Sequence, residues 1–455
     1  MQTSISYETW SSRMIFIFAA VGSSVGLANI WKFPYTAGAN GGGAFVLIYV
    51  ACIFLLTIPI HMSELLIGRR GRLSPIASLA RIAVEMKVSP AWRYIGWNGL
   101  VLSIMVLSFY SVIAGWGLAY IPKMASGQFT AADAETVQNI FNQHLNSPAS
   151  LTIWHTVFLV MSLTIVALGI RRGVERAFKV FTPLIFLILL SMISYAIYTG
   201  SFMDGARFLF TVDFSKITGT VILSAVGQAF FTVGAGACAI AVYGAYLPVN
   251  VSIPKSSLII VGLDTLVAIS AGLAIFPVVF ANGLDPAAGP GLVFLTLPLA
   301  FSQLTGGAVL GIIFLILLVV AAMTSTIAIV EPAVVYTVEK TALPRSISTF
   351  IVGFLIWVLG LTCVFSFNIW KNFYPLGFID YFSEMTFFQL FEFFAINIML
   401  PAGGLFIAIF VGWKMTAAST REELMLSDGL LFRIWRNLIR YIVPLMIIVI
   451  MLANF

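Results

Sequence analysis

The chain has 455 residues, of which 60% are hydrophobic and only 9% are charged, and its mean hydropathy is +1.03. A soluble protein carries about a quarter charged residues, so this composition excludes a soluble globular protein. The net charge of +6 does not indicate a nucleic-acid partner, because the basic residues stand between apolar segments rather than in one patch. Segments of roughly twenty apolar residues, enough to cross a bilayer, recur along the chain, so a lipid bilayer is its expected surrounding.

The start of the chain is not expected to be a cleaved signal peptide. Glu8 and Arg13 precede the first apolar segment, and no small-residue cleavage site ends it. Cys52, Cys238 and Cys363 each lie inside an apolar segment. Neither a disulfide framework nor a Cys-x-x-Cys metal site is therefore expected.

Hydropathy predicts about eleven membrane-spanning helices, numbered here from the N-terminus. They cover residues 12–37, 43–68, 91–122, 151–169, 173–198, 220–247, 253–280, 306–338, 344–368, 384–413 and 429–453. Lysine and arginine concentrate in the connections that follow spans 2, 4, 8 and 10. By the positive-inside rule, this pattern places the N-terminus in the cytoplasm and, with an odd number of spans, the C-terminus outside.

Glycine-rich stretches interrupt two of these spans, at residues 22–29 of the first and residues 232–237 of the sixth. Because glycine weakens a helix by about 1 kcal/mol relative to alanine, both stretches are expected to unwind. They fall in the first span of two successive five-span blocks, which is typical of transporters built from inverted repeats with broken helices. The predicted units are residues 1–200 for the first repeat, 201–413 for the inverted second repeat and 414–455 for an additional span 11.

The glycines of the first span also fit a simpler interpretation. Gly22 and Gly26 have the spacing of a small-residue face that packs against another helix, and on the glycines alone this interpretation is equally good. Ser23, Ser24 and Asn29 stand in the same stretch, and helix packing does not need their hydrogen-bonding groups. The polar neighbours therefore favour an unwound binding segment.

Longer motifs relate the sequence to a known family. They lie at residues 10–13, 22–34 and 40–45, at Glu64 with Gly68 and Arg69, and at residues 228–232, 322–325 and 397–401. Together they extend over essentially all eleven spans and resemble the signature of the neurotransmitter:sodium symporter family, above all its bacterial members that carry leucine, other hydrophobic amino acids or tyrosine. The resemblance implies an all-α polytopic membrane protein, a five-plus-five inverted-repeat bundle with discontinuous first and sixth helices. It also implies a sodium-coupled symporter that works by alternating access in the bacterial inner membrane.

The resemblance implies two sodium sites and no resident cofactor, with sodium ions as the coupling ions. One site would use the carbonyl oxygens of Gly22, Val25 and Ala321 with the hydroxyls of Thr324 and Ser325. The other would use Ser24, Asn29, Thr232, Asp264 and the carboxylate of the substrate. A ligand shared between ion and substrate links the two binding events, which is the thermodynamic basis of symport. Without the other motifs, Thr324 and Ser325 would be interpreted as helix-interior hydroxyls bonded to preceding carbonyls.

The resemblance also implies an amino-acid substrate. Its carboxylate would meet the amide groups of Leu27 and Ala28 at the start of a half-helix, where the helix dipole favours an anion. Gly26 indicates a substrate with its own carboxylate, because monoamine carriers of the family have an aspartate at this position. The predicted substrate-binding residues are Ser23, Ser24, Leu27, Ala28, Val106, Tyr110, Phe231, Thr232, Gly234, Ala237, Ser325 and Ile329. Since Gly234 and Ala237 are small, we expect bulky hydrophobic or aromatic amino acids.

The predicted gates depart from the family pattern. Lys32 replaces the usual outer-gate arginine, and Glu392 stands where its partner is usually aspartate. Lysine lacks the bidentate fork of arginine, so this gate is expected to be looser. Tyr7 takes the place of an arginine that commonly closes the cytoplasmic side against an acid matched here by Glu339, which leaves the usual inner-gate ion pair in doubt.

Chloride-dependent members of the family hold the ion at positions that match Tyr49, Gln228 and Thr232. The chain has Ala268 where a chloride-site serine or a charge-balancing glutamate would stand, and it has Asp264 one helical turn earlier. Asp264 could simply cap or pair structurally near a span end. The alternative, which the family match favours, is that its carboxylate replaces chloride, and it predicts chloride-independent transport.

Two other functions were weighed against the symporter. A membrane sensor or receptor would keep the binding site without transport, but the sequence contains no signalling domain. An intramembrane enzyme needs a nucleophile and base or a metal centre, whereas His61, His144 and His155 are scattered along the chain. No catalytic residue is therefore assigned, and the exact substrate, the sodium stoichiometry and the oligomeric state stay open.

Overall fold

The structure, a computed structural model, describes residues 10–199, 201–286, 289–304 and 306–453. In these residues the regular secondary structure is entirely helical. Nine of the described helices are long and apolar enough to cross a membrane: Gly43–Gly71, Pro90–Ala125, Pro148–Ala167, Ile170–Tyr198, Ile253–Ala281, Gly307–Thr341, Arg345–Phe365, Phe387–Lys414 and Leu430–Ala453. They correspond to predicted spans 2 to 5 and 7 to 11, with ends that differ by a few residues.

The remaining two predicted spans are broken. Span 1 consists of Arg13–Ser24 and Ala28–Ala39, which are bent by 52° relative to each other. Span 6 consists of Gly219–Thr232 and the short helix Ala239–Ala245. The predicted all-α membrane fold with discontinuous first and sixth helices is confirmed. The division of the chain into units at residues 200 and 413 stays a prediction.

Five short α-helices lie in the described connections between spans, and hydropathy did not predict them. They are Pro75–Glu85, Ala134–Leu145, Phe202–Phe210, Thr296–Ser302 and Ala417–Leu424. Their signals are local rather than hydrophobic: the side chain of Asp133, for example, accepts a hydrogen bond from the backbone N–H of Thr136 at 2.8 Å and so caps the second of them. A search for long apolar segments cannot detect helices of this length.

The broken spans are enclosed by continuous ones. Arg13–Ser24 packs against spans 5, 7 and 8, and Ala239–Ala245 packs against span 2. The second contact is close because it is made by glycine: a Cβ atom on Gly68 would lie 1.8 Å from the carbonyl oxygen of Ala241. Small residues let helix backbones approach in this way, and the second half of span 6 thereby packs directly on the backbone of span 2.

Basic side chains gather at one end of the bundle, which we call the basic end. Arg69 donates hydrogen bonds to the side chain and the backbone carbonyl of Glu423. Arg345 forms an ion pair with Glu331, whose side chain is fully buried. The other end, where spans 1 and 2 are joined, is called the opposite end. That the basic end faces the cytoplasm stays a prediction from the charge pattern.

Candidate functional site

The break in span 1 frees backbone groups in the middle of the bundle. The first helix ends at Val25, whose backbone is extended (φ −70°, ψ 116°). The hydroxyls of Ser23 and Ser24 both donate to the carbonyl oxygen of Ala20, at 2.7 and 3.0 Å. The side-chain oxygen of Asn29 accepts a hydrogen bond from the N–H of Gly26 at 3.0 Å. These bonds stabilise the break and leave carbonyl oxygens without helical partners.

The break in span 6 depends on residues in the left-handed region of backbone conformation. Gly234, Gly236 and Cys238 have φ values of 61°, 100° and 60°. At Gly236 only glycine fits, because a Cβ atom there would lie 2.4 Å from the carbonyl oxygen of Leu400. The carboxylate of Glu64 accepts a hydrogen bond from the N–H of Gly236 at 2.6 Å. Span 2 and span 10 thus hold the unwound segment from two sides.

A small cavity lies between the two breaks, and the centre of a water-sized sphere can move within about 80 Å³ of it. All twelve residues predicted to bind substrate line it. They are Ser23, Ser24, Leu27, Ala28, Val106, Tyr110, Phe231, Thr232, Gly234, Ala237, Ser325 and Ile329. The structure brings these residues together, and their role in binding stays a prediction.

One of the two predicted cation sites surrounds Asp264 in span 7. The amide nitrogen of Asn29 lies 2.9 Å from the Asp264 carboxylate and 3.0 Å from the hydroxyl oxygen of Thr232. The Thr232 hydroxyl donates to the other carboxylate oxygen of Asp264 at 2.9 Å. Asn29 presents its nitrogen here, so its oxygen would become a ligand only after the amide rotates. The hydroxyl of Ser24 lines the adjoining cavity.

The environment of Asp264 fits a bound cation. Its side chain is fully buried, and among the described residues it forms no ion pair with a lysine, arginine or histidine. A buried carboxylate is costly unless a cation or a metal ion balances it. The oxygen atoms at the site are those of a carboxylate and a hydroxyl, which suit a hard cation such as sodium rather than a transition metal.

The second predicted cation site lies between span 1 and span 8. The carbonyl oxygen of Val25 accepts hydrogen bonds from the hydroxyls of Thr324, at 3.2 Å, and Ser325, at 3.1 Å. The Thr324 hydroxyl lies 2.8 Å from the carbonyl oxygen of Ala321. Four of the five predicted ligands therefore meet in one cluster of hard oxygen atoms. At Gly22, the fifth, a Cβ atom added to the residue would lie 2.5 Å from side-chain atoms of Phe178 and Thr182 in span 5.

Two aromatic side chains separate the cavity from a second space, the vestibule, at the opposite end. Tyr110 and Phe231 line both spaces. The hydroxyl oxygen of Tyr110 accepts a hydrogen bond from the N–H of Leu27 at 3.2 Å. Lys32 and Glu392 both line the vestibule. They form no direct ion pair in the described structure; the Lys32 ammonium lies over the ring of Phe231, 4.0 Å from its centroid.

The basic end is closed by several elements that sequence reasoning did not assign to the site. Trp10 is buried, and its indole N–H donates to the carbonyl oxygen of Tyr243 at 3.3 Å. The backbone N–H and the hydroxyl of Ser11 donate to the carboxylate of Glu175 at 2.9 and 2.8 Å. Glu339, a predicted gate residue, accepts a hydrogen bond from the N–H of Ser74 at 2.7 Å. Its predicted neighbour Tyr7 lies outside the described residues.

Some functional candidates were missed although a signal was present. Glu331 is an acid inside the apolar span 8, and ionisable residues in a span are functional candidates by default. Its ion pair with Arg345 adds to the closure of the basic end. By contrast, Ala395, Ile396 and Leu400 of span 10 line the cavity without any polar signal. Apolar side chains that face a cavity and those that face lipid look alike in a sequence.

Two broken helices, a cavity between their breaks and oxygen clusters beside it define a class of protein, the membrane transporters with discontinuous helices. The comparison with known families agrees with this class. A profile of the sodium:neurotransmitter symporter family matches residues 7–139 and 134–455.

Relatives and a solved structure cover almost the whole chain. It is 36% identical over 446 residues to the uncharacterized sodium-dependent transporter YhdH of Bacillus subtilis, covering 97% of this chain and 96% of that protein. It is 32% identical over 454 residues to an uncharacterized sodium-dependent transporter of Haemophilus influenzae, covering 98% of each. The crystal structure of MhsT in complex with L-phenylalanine matches with a TM-score of 0.88 and 37% identity, covering 99% of this chain and 100% of that one. The chain belongs to the sodium:neurotransmitter symporter family, a family of multi-pass membrane transporters with bacterial members.

Proposed function

We propose that the chain is a sodium-coupled symporter that imports bulky hydrophobic or aromatic amino acids by alternating access, without a need for chloride. The observation that carries this proposal is the cavity between the two helix breaks, which borders both predicted cation sites. The membrane would be the bacterial inner membrane, with the basic end in the cytoplasm. The opposite end would then receive the substrate from outside.

Recognition of an α-carboxylate is supported by the geometry around Gly26. A Cβ atom on Gly26 would lie 2.2 Å from the hydroxyl oxygen of Ser325 and 2.9 Å from that of Tyr110. The chain therefore has no room for an acidic side chain of its own at this position, and the substrate has to supply the carboxylate. The N–H of Leu27 and the hydroxyl of Tyr110 lie beside the cavity at the start of a half-helix, where an anion is stabilised.

Coupling follows from the position of this carboxylate. Thr232 lines the cavity and also bonds to Asp264, so a sodium ion held by these side chains would lie next to the substrate. Each ligand would then raise the affinity for the other by the same factor. The second site, around Val25, Thr324 and Ser325, lies on the other face of the same break. A change in span 1 would affect both sites together.

A bulky substrate is supported by the space beside span 6. A Cβ atom added at Gly234 would meet nothing within 4 Å, and Ala237 contributes only a methyl group to the cavity wall. The cavity extends from there to Ala395 and Leu400 of span 10. Burial of a large apolar side chain contributes about 25 cal/mol per Å². MhsT, the similar protein of known structure, was crystallised with L-phenylalanine.

Uptake into proteoliposomes tests the proposed function. The purified protein should accumulate labelled phenylalanine, tyrosine, tryptophan or leucine when a sodium gradient is imposed, and not when potassium replaces sodium. Empty liposomes treated in the same way give the background. Sodium-dependent binding without accumulation would favour the sensor or receptor alternative. Accumulation that does not depend on sodium would contradict the coupling of transport to the sodium gradient.

We expect Lys32→Ala and Glu392→Ala to slow uptake about 5- to 30-fold while substrate binding is partly kept. The Lys32 ammonium stabilises the ring of Phe231, and a cation–π contact of this kind contributes about 1–2 kcal/mol when it is shielded from water. Loss of this contact should weaken the barrier that Tyr110 and Phe231 form between the cavity and the vestibule. Initial uptake rates and scintillation-proximity binding separate the two effects.

The matched control for the gate variants is Lys371→Ala, which removes an exposed lysine from the connection between spans 9 and 10. Its kinetics should equal those of the parent. Unchanged uptake in both Lys32→Ala and Glu392→Ala would show that these residues are not part of the gate.

A further inference from the structure

One hydroxyl group of the cavity is not used by the proposed function. Six side chains that line the cavity carry a hydroxyl group: Ser23, Ser24, Ser103, Tyr110, Thr232 and Ser325. Four of them belong to the proposed carboxylate and cation sites, and Ser23 donates its hydroxyl proton to the carbonyl oxygen of Ala20 beside the break in span 1. Ser103, on span 3, belongs to neither.

Ser103 lies at the end of the cavity that is remote from the carboxylate site. It shares one face of span 3 with Val106 and Tyr110, which follow at helical spacing. Seven residues separate it from Tyr110, or about 10 Å along the helix axis at 1.5 Å per residue. One helical turn before Ser103, Gly99 packs closely on the break in span 6. A Cβ atom added to Gly99 would lie 2.9 Å from the carbonyl oxygen of Ala237. This contact closes the cavity on the side of Ser103 that faces away from Tyr110.

The hydrogen bonding of Ser103 leaves it as an acceptor. Its hydroxyl donates its only proton to the carbonyl oxygen of Gly99 at 2.7 Å. A serine oxygen also has two lone pairs, and no N–H or O–H group of the described residues donates to them. The side chain is fully buried, with Leu102, Ala237 and Ile240 among the apolar residues that line the same cavity.

We propose that Ser103 Oγ accepts a hydrogen bond from a donor at the distal end of the substrate side chain. The site would then select aromatic amino acids with an indole N–H or a phenol O–H, tryptophan and tyrosine, over phenylalanine. This inference rests on the proposed function and narrows its substrate class. A site with a buried polar group that matches the substrate discriminates against an analogue without the donor, because the group is then left unpaired.

A simpler account of Ser103 is a helix-interior serine that is bonded to a preceding carbonyl. Ser108, on the same helix, is a serine of this purely structural kind and serves as an internal control. It is also fully buried, and its hydroxyl donates to the carbonyl oxygen of Ile104 at 2.8 Å. Ser108, however, is not among the residues that line the cavity. The two serines are equally buried and have the same kind of local hydrogen bond, and they differ in that only Ser103 lines the cavity.

The test compares Ser103→Ala, Ser108→Ala and the parent in binding and uptake of phenylalanine, tyrosine and tryptophan. In Ser103→Ala we expect the affinity for tyrosine and tryptophan to fall about ten-fold, and the affinity for phenylalanine to change less than about two-fold, in line with the worth of one buried hydrogen bond. Ser108→Ala should leave the ratios between the three substrates as they are in the parent. Retained phenylalanine binding also establishes that each variant is folded.

Two results would overturn the inference about Ser103. One is an equal loss of affinity for all three amino acids, which would indicate a structural role. The other is an unchanged preference in Ser103→Ala. If the parent binds phenylalanine as tightly as tyrosine and tryptophan, the inference is wrong while the proposed function stands. If the parent takes up neither these three amino acids nor leucine with sodium, the proposed function fails as well, and that result is seen before any variant is made.

Discussion

Replacement of Asp264 by asparagine is expected to abolish sodium-dependent uptake. The two side chains have nearly the same shape, so the hydrogen bonds from Thr232 and Asn29 could be kept in part, and the variant mainly removes the charge. A unit charge 4 Å from a cation is worth about 4 kcal/mol at an effective dielectric constant of 20. We therefore expect uptake to fall at least about 100-fold. Initial uptake rates over a range of sodium concentrations measure the effect.

The matched control is Asp204→Asn, which neutralises an exposed aspartate in the helix Phe202–Phe210. It should leave uptake unchanged. Normal sodium dependence in Asp264→Asn would show that the buried carboxylate is not a cation ligand. The interpretation of Asp264 as a structural cap would then be the better one.

The buried carboxylate of Asp264 also leads us to expect transport that does not require chloride. Two sodium ions beside a zwitterionic substrate would leave excess positive charge in a poorly solvated site, and the Asp264 carboxylate would supply a negative charge there. The parent should thus transport equally well when gluconate replaces chloride. Since Ala268 lies one helical turn from Asp264 and is also buried, the double variant Asp264→Asn with Ala268→Ser is expected to regain part of its activity in chloride. Strict chloride dependence of the parent would refute this account.

Ala237→Phe is expected to shift the substrate preference from large to small amino acids. Ala237 lines the cavity beside Gly234, and a phenyl ring there would occupy the space proposed for an aromatic substrate. We expect the affinity for tryptophan to fall more than about ten-fold, because overpacking of a buried site costs about 1–3 kcal/mol. The affinity for alanine or valine should rise. Competition against a labelled substrate gives these affinities.

A graded series provides the control for Ala237. The variants Ala237→Val, Ala237→Leu and Ala237→Phe add volume in steps, and tryptophan affinity should fall in the same order. Equal tryptophan affinity in Ala237→Phe and the parent would mean that the side-chain pocket lies elsewhere in the cavity.

The fold was largely predictable because its two signals are strong in the sequence. Long apolar segments defined the spans to within a few residues, and the glycines at 22, 26, 234 and 236 marked the two breaks. The short helices between spans were not predicted, since their formation depends on local caps such as Asp133 and not on hydropathy. Positive φ at Cys238 was also unforeseen, because a cysteine carries no signal for the left-handed region.

The candidate site was predictable where motifs are local and not where contacts are long-range. The residues around the two breaks came from contiguous motifs, and the structure gathers them around one cavity. The contribution of Leu400 and the position of Lys32 over Phe231 join segments far apart in the chain. The ion pair of Glu331 with Arg345 joins two successive spans, 14 residues apart. A single sequence does not tell which face of an apolar helix turns toward such a partner.

The barriers that close the two ends of the cavity differ in thickness, so the two ends are expected to open at different rates. At the opposite end, the side chains of Tyr110 and Phe231 separate cavity and vestibule, and rotation of two side chains moves fewer groups than a displacement of helices. At the basic end, an opening would require the contacts of Trp10 and Ser11 and the Glu331–Arg345 pair to break together. Collective helix motions take microseconds to milliseconds. Admission of the substrate would therefore be fast and readily reversible, and its release at the basic end would set the turnover rate.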